Sequence, residues 1–251
     1  MKRYRMSELT WMDYAKRKEK PLILPIGSTE QHGPHLPLSV DAILAEHFAL
    51  LLAERVDGIV APTLNYGYKS KPFSGGGPLF PGTIDLNGST LQALTMDILS
   101  EFVRDGFTRI FLMNAHFEND PFLIEAMDAL SEQTNGRATL VLSNWWDHIP
   151  DSLLPKLFDE TPFPGWALEH AAITETSLML YFAPELVRME NIDHVESIAP
   201  PAYAIYPTPA DAIPSSGVLS SAHSSSAEKG KMIVDTILPI LETIVQKTFS
   251  L

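Results

Sequence analysis

Four short apolar runs, at residues 21–26, 58–62, 109–113 and 138–143, alternate with stretches of helical periodicity at 41–56, 89–105 and 121–133. This alternation is the strongest constraint on the fold. A strand that returns through a helix to its neighbour builds a parallel sheet, and helices then cover both faces. The expected architecture is α/β: a single-domain α-β-α sandwich over residues 1–251 with a mostly parallel sheet. In such sheets ligands bind beyond the carboxyl ends of the strands. Residues just after the runs are therefore the candidate site. Elsewhere, 7–17 reads as a short helix opened by Ser7, and Thr174 as the cap of a helix reaching 182. A closing helix is expected over 228–248. Residues 65–82 form a long Gly/Pro/Ser-rich loop, and 200–226 read as irregular.

Two clusters follow strand-like runs: Glu30 and His32, with Asp41 further on, and His116 with Glu118. In extended chain, residues i and i+2 point the same way, so each pair shares a face. Two imidazoles and three carboxylates then converge, a ligand set for a pair of divalent metals that activate water. Asp41, apart from both pairs, is the natural bridge. The bland alternative is surface polar residues plus a helix cap at Asp41. The same spacing repeated after two strands favours the metal reading. With no cysteine in the chain, any metal takes nitrogen and oxygen ligands, and no disulfide exists.

His170 and Glu175 read equally well in two ways. One is a proton shuttle with its orienting carboxylate; the other is a helix start with an acid in its first turn, where the dipole favours acids. Two of the four tryptophans, Trp145 and Trp146, stand directly after a strand, which favours at least one lining a pocket. The glycines at 75–77 lack the Lys-Ser/Thr of a nucleotide loop and read as a loop needing positive φ or close backbone approach. His35 lies near the metal cluster and His47 inside a helix. His148, His194 and His223 have no partner at a telling spacing.

A formal net charge of −13 argues against nucleic acid and anionic membrane as partners. The first residues lack the apolar core of a signal peptide, and no apolar stretch reaches membrane-spanning length. A cytoplasmic enzyme is expected.

The stretch GSTEQHGPHLPLSVD (27–41) resembles the first metal motif of the creatininase family, and NAHFEND (114–120) resembles its second. The likeness continues through YGYKS, SGGG, FPGT, GWALEH, TETSLML and LSSAHSSSAEKG, and so spans nearly the whole chain. The resemblance implies a parallel α/β sandwich, hexameric assembly, and two divalent ions per subunit, zinc or manganese. It implies Glu30, Asp41 and His116 on one ion, and His32, Asp41 and Glu118 on the other. His170 matches the catalytic histidine, Glu175 the acid behind it, Trp146 and Trp166 tryptophans that enclose the substrate, and Ser74 the Gly-rich loop. The implied partner is a small cyclic amide, with creatinine first. Other rings of the family, among them a formamide or a cyclic ketone, and an inactive metal-binding oligomer are the alternatives. Three departures stand out. Ala115 replaces the usual Gly of Asn-Gly-His, Phe117 replaces a Tyr, and Ala172 replaces a Gly. If that first Gly used positive φ, Ala115 would be strained.

Overall fold

The computed structural model describes residues 3–193, 195, 197–209 and 211–251. His194 lies outside them. Twelve elements carry the architecture: α1 (Trp11–Ala15), β1 (Leu22–Ile26), α2 (Val40–Val56), β2 (Ile59–Val60), α3 (Pro72–Gly75), α4 (Gly88–Asp105), β3 (Arg109–Asn114), α5 (Asp120–Gln133), β4 (Thr139–Asn144), α6 (Leu154–Leu157), α7 (Ile173–Phe182) and α8 (Ala227–Phe249). The four strands form one parallel sheet in the order β2-β1-β3-β4. The α/β expectation therefore stands.

Alternation along each strand sorts the core into two layers. Ile23, Phe111 and Met113 face α2, α7 and α8 and pack with Phe48, Leu52, Leu178 and Ile237. Leu22, Leu24, Ile110 and Leu112 face α4 and α5 and pack with Leu91, Leu99, Leu123 and Leu130. Strands buried on both faces read as continuous apolar runs, which is why residues 21–26 and 109–113 were visible in the sequence. Each fully buried Leu, Ile or Phe contributes about 1.5–3 kcal/mol over its exposed state.

Local differences have local causes. The expected helix at 7–17 is a 3-10 turn, Met6–Glu8, followed by α1, because the Thr10 side chain accepts from the Asp13 amide and starts the helix there. The run at 58–62 contributes only two strand residues. The 65–82 loop contains α3 and a 3-10 turn, Gly77–Leu79. Thr174 lies inside the first turn of α7 rather than capping it. Ser226 caps α8 by accepting from the Lys229 amide. Gly27, just past β1, lets α2 approach: a Cβ there would stand 2.4 Å from the Ala42 nitrogen. That contact brings Asp41, in the first turn of α2, to the carboxyl end of the sheet.

Candidate metal centre

Four segments meet at that end: the loop after β1, the start of α2, the turn after β3, and the loop leading into α7. Glu30, His32, Asp41, His116, Glu118, His170 and Glu175 are all buried there. His116 Nδ1 lies 3.0 Å from Glu30 Oε1 and 3.0 Å from Asp41 Oδ2. His32 Nε2 lies 3.0 Å from Asp41 Oδ1 and 3.6 Å from Glu175 Oε2. Asp41 thus stands between two sets, Glu30–Asp41–His116 and His32–Asp41–Glu175, each compact enough to hold an ion.

The three imidazoles are oriented in the same way. His32 Nδ1–H donates to the Glu30 carbonyl at 3.2 Å. His116 Nε2–H donates to the Tyr68 carbonyl at 2.9 Å. His170 Nε2–H donates to the Gln31 carbonyl at 2.7 Å. The Gln31 side-chain nitrogen is also 2.9 Å from His170 Nε2, but its two N–H groups go to the carbonyls of Gly75 and Gly217. A carbonyl oxygen only accepts, so each of these ring nitrogens carries the proton. The opposite nitrogen of each ring faces the carboxylates and can offer a lone pair to a cation that takes the place of a proton there, the arrangement that metal-binding histidines need.

Whether cations fit can be read from the unsatisfied atoms. Glu30 Oε2, Asp41 Oδ2, Glu118 Oε2 and His32 Nε2 are buried without an aligned hydrogen-bond partner among the described residues. The 3.0 Å contacts of Asp41 with His32 and His116 are close in distance but not aligned as hydrogen bonds at these atoms. Buried charge without partners is expensive, and these donors fit divalent cations.

The titration tendencies agree. Burial opposes charge on His32, but Asp41 and Glu175 outweigh it and hold the ring up to about 10. Burial likewise opposes charge on His116, and Glu30 and Asp41 outweigh it. Burial would raise Asp41, but His32 and His116 hold it below the usual carboxylate range. Burial pushes Glu175 up to about 8, Glu169 up to about 7, and Glu118 upward. The excess of buried acids makes this a place that holds positive charge. His170 behaves oppositely: burial, with the charge of His32, lowers it to about 4.

Above the carboxylates lies a cleft of about 370 Å³, its open mouth included, lined among others by Ser74, Phe117, Trp145, Trp146, Trp166 and Glu169. Trp146 packs on Phe117 with ring centroids 5.8 Å apart, and Trp145 on Trp166 at 6.3 Å.

Two sequence-derived placements differ from the structure. Glu118 sits on a 3-10 turn, Phe117–Asn119, rather than in extended chain, so it turns away from the His32–Asp41 set. Its Oε1 accepts from the Ser74 hydroxyl and, at 3.2 Å, from the Lys71 amide. Glu175 fills the position expected of Glu118, beside His32. It also accepts from the Ala171 amide at 2.7 Å, while the Gln31 carbonyl orients His170. The strain expected at Ala115 is absent, and Ala172 has φ −100°. The positive φ falls instead on Ala171, at 54°. Glu169 and Gln31 were not singled out as site residues. Each is polar and stands beside a recognised residue, the one signal that points to them.

The family model "Creatininase: Creatinine amidohydrolase" matches residues 7–245. The chain is 38% identical to a creatinine amidohydrolase of Pseudomonas putida, over 97% of this chain and 96% of that enzyme. It is 29% identical to a 3-dehydro-scyllo-inosose hydrolase of Thermotoga maritima, over 90% of this chain and 76% of that one. A creatininase mutant complexed with creatine superposes with a TM-score of 0.95 at 36% identity, covering 99% of each chain. Creatininase structures described as Zn-Zn type and as Mn superpose equally well.

Proposed function

Because the chain belongs to the creatininase family of hydrolases, we propose that it is a metal-dependent cyclic amide hydrolase interconverting creatinine and creatine. The observation that carries this reading is the shared Asp41 between two ligand sets, beneath a tryptophan-walled cleft. Glu30, Asp41 and His116 hold one divalent ion, and His32, Asp41 and Glu175 the other. Mixed imidazole and carboxylate donors suit zinc or manganese, the metals of the related creatininase structures. When bound, two such ions supply Lewis acidity to a carbonyl and to water.

The chain's own residues do the rest. Trp146 and Trp166 flank the flat ring and exclude bulk water, and Phe117 closes the mouth. The water oxygen adds to the lactam carbonyl carbon, the ring C–N bond breaks, and the departing nitrogen takes a proton. Glu118, fixed on Oε1 by Ser74 and the Lys71 amide, has Oε2 free to accept the proton of the attacking water. His170 presents Nδ1 to the centre because its Nε2–H is held by the Gln31 carbonyl, and it carries the proton to the leaving nitrogen. Phe117, where the family has a phenol, lacks one hydrogen bond to the ligand. That omission is worth about 0.5–1.5 kcal/mol and weakens binding without abolishing it. The enzyme is read as cytoplasmic and hexameric, with a small cyclic amide as its partner and neither nucleic acid nor membrane.

Product analysis tests this. Protein loaded with manganese or zinc converts creatinine to creatine, and elemental analysis finds two ions per chain. No creatine, together with hydrolysis of a formamide or cyclic ketone, moves the assignment to another family substrate. Full metal content with no turnover of any ring makes the chain an inactive metal-binding oligomer.

A further inference from the structure

Five carboxylates line the cleft: Glu30, Asp41, Glu118, Glu169 and Glu175. Four of them lie within ion-pair distance of a histidine. Glu169, among the described residues, does not. It is 4% exposed and directly precedes His170. Its Oε2 is fully engaged, accepting from the Thr174 amide at 2.9 Å and the Thr174 hydroxyl at 2.6 Å. Its Oε1 is buried with no partner among the described residues. Capping α7 accounts for one oxygen only. Leaving the second oxygen buried and unpaired costs stability, so a group entering the cleft is the natural donor to it.

We propose that Glu169 Oε1 is a specificity-determining acceptor that takes an N–H of the exocyclic nitrogen of a cyclic guanidine substrate. This rests on the reading above, that the substrate is the creatinine lactam. The ring's exocyclic nitrogen donates hydrogen bonds, and the indole rings of Trp145, Trp146 and Trp166 carry no oxygen to accept them. The contact also strengthens during the reaction. Ring opening turns a weakly basic ring into a strongly basic guanidine that takes up a proton. A hydrogen bond from that cation to a carboxylate is about twice as strong as a neutral one. An interaction that grows along the reaction favours turnover as well as binding. Thr174 holds the carboxylate at a fixed angle, so the acceptor is in place before substrate arrives.

The test compares creatinine with 1-methylhydantoin, the same lactam carrying an exocyclic oxygen in place of the nitrogen. Wild-type turnover of creatinine is measured first. Its absence defeats the substrate reading, and this proposal with it, before any variant is made. In Glu169→Gln the amide carbonyl keeps the Thr174 contacts while an NH2 group replaces the acceptor. We expect kcat/KM for creatinine to fall about 10- to 100-fold. The ratio of creatinine to 1-methylhydantoin turnover should fall further, because the new N–H groups suit the exocyclic oxygen. Metal content should be unchanged. Glu169→Asp keeps the anion but withdraws it by one methylene, and should show an intermediate ratio. It decides the matter if the Gln variant does not fold. A metal-loaded, folded variant with the wild-type substrate ratio shows that Glu169 only caps α7, and overturns the proposal.

Discussion

His170 is oriented by a backbone carbonyl. Its Nε2–H is fixed on Gln31, so Nδ1 faces the centre, and the two ligand sets that share Asp41 are complete without it. His170→Ala should therefore keep both ions by elemental analysis while losing about 10²–10⁴-fold in kcat. Full activity in that variant sends the proton route to Glu118. Asp41 behaves differently because both ligand sets include it. Asp41→Ala should lose both ions, and retention of one shows that it does not bridge. Glu30, His32, Asp41 and His116 were legible from the chain because acids and histidines recurred at one spacing after two strands. Glu175 rather than Glu118 stands beside His32 because the i, i+2 rule holds only where the chain stays extended. A 3-10 turn begins at Phe117, and spacing alone carries no record of it. Glu169 and Gln31 were illegible for another reason: what they do depends on which atoms their neighbours leave unsatisfied.

Among the elements, two irregular loops are tied to the loop after β1 through a single side chain. Gln31 Nε2 donates to Gly75 and Gly217, and its Oε1 accepts from the Gly33 amide. Gly217 has φ 79°, and a Cβ there would lie 2.2 Å from Gln31 Oε1. Gly217→Ala thus combines a left-handed backbone with an overlap against the residue whose carbonyl orients His170. It should destabilise by about 1–3 kcal/mol in urea unfolding and lower kcat with metal content preserved. Gly136 separates the two effects. Its φ is 65° but nothing lies within 4 Å of a Cβ. Gly136→Ala should cost about 1 kcal/mol and leave kcat alone. Equal loss of activity in both variants shows that general destabilisation, not Gln31, is responsible. The helices α2, α4, α5 and α8 could be read from periodicity within a residue or two, whereas the Gln31 tie could not. Loops over residues 70–77 and 213–219 meet only in the folded chain.

At the scale of the whole molecule, the alternation of runs was enough to fix the class of fold, but assembly is written on the surface rather than in the core. Beside the mouth of the cleft, Tyr203, Ile205 and Tyr206 stand against Lys71, Pro72 and Phe117. Tyr203 is 69% and Tyr206 77% exposed, unusual for aromatic residues grouped together. Covering them with another subunit would also finish the rim of the cleft, consistent with the hexamer that the family resemblance implies. Charge opposes this: each chain carries a formal −13, so copies repel and the repulsion is strongest at low salt. Apolar contact must then hold the assembly, and added salt should tighten it. Light scattering at micromolar protein should give six times the 27.8 kDa chain mass. Replacing Tyr203 and Tyr206 together with Ser should shift that mass downward, more so at low ionic strength, while elemental analysis still finds two ions per chain. A wild-type monomer under these conditions rules out the hexamer and leaves the metal centre untouched, since every group in its two ligand sets belongs to one chain.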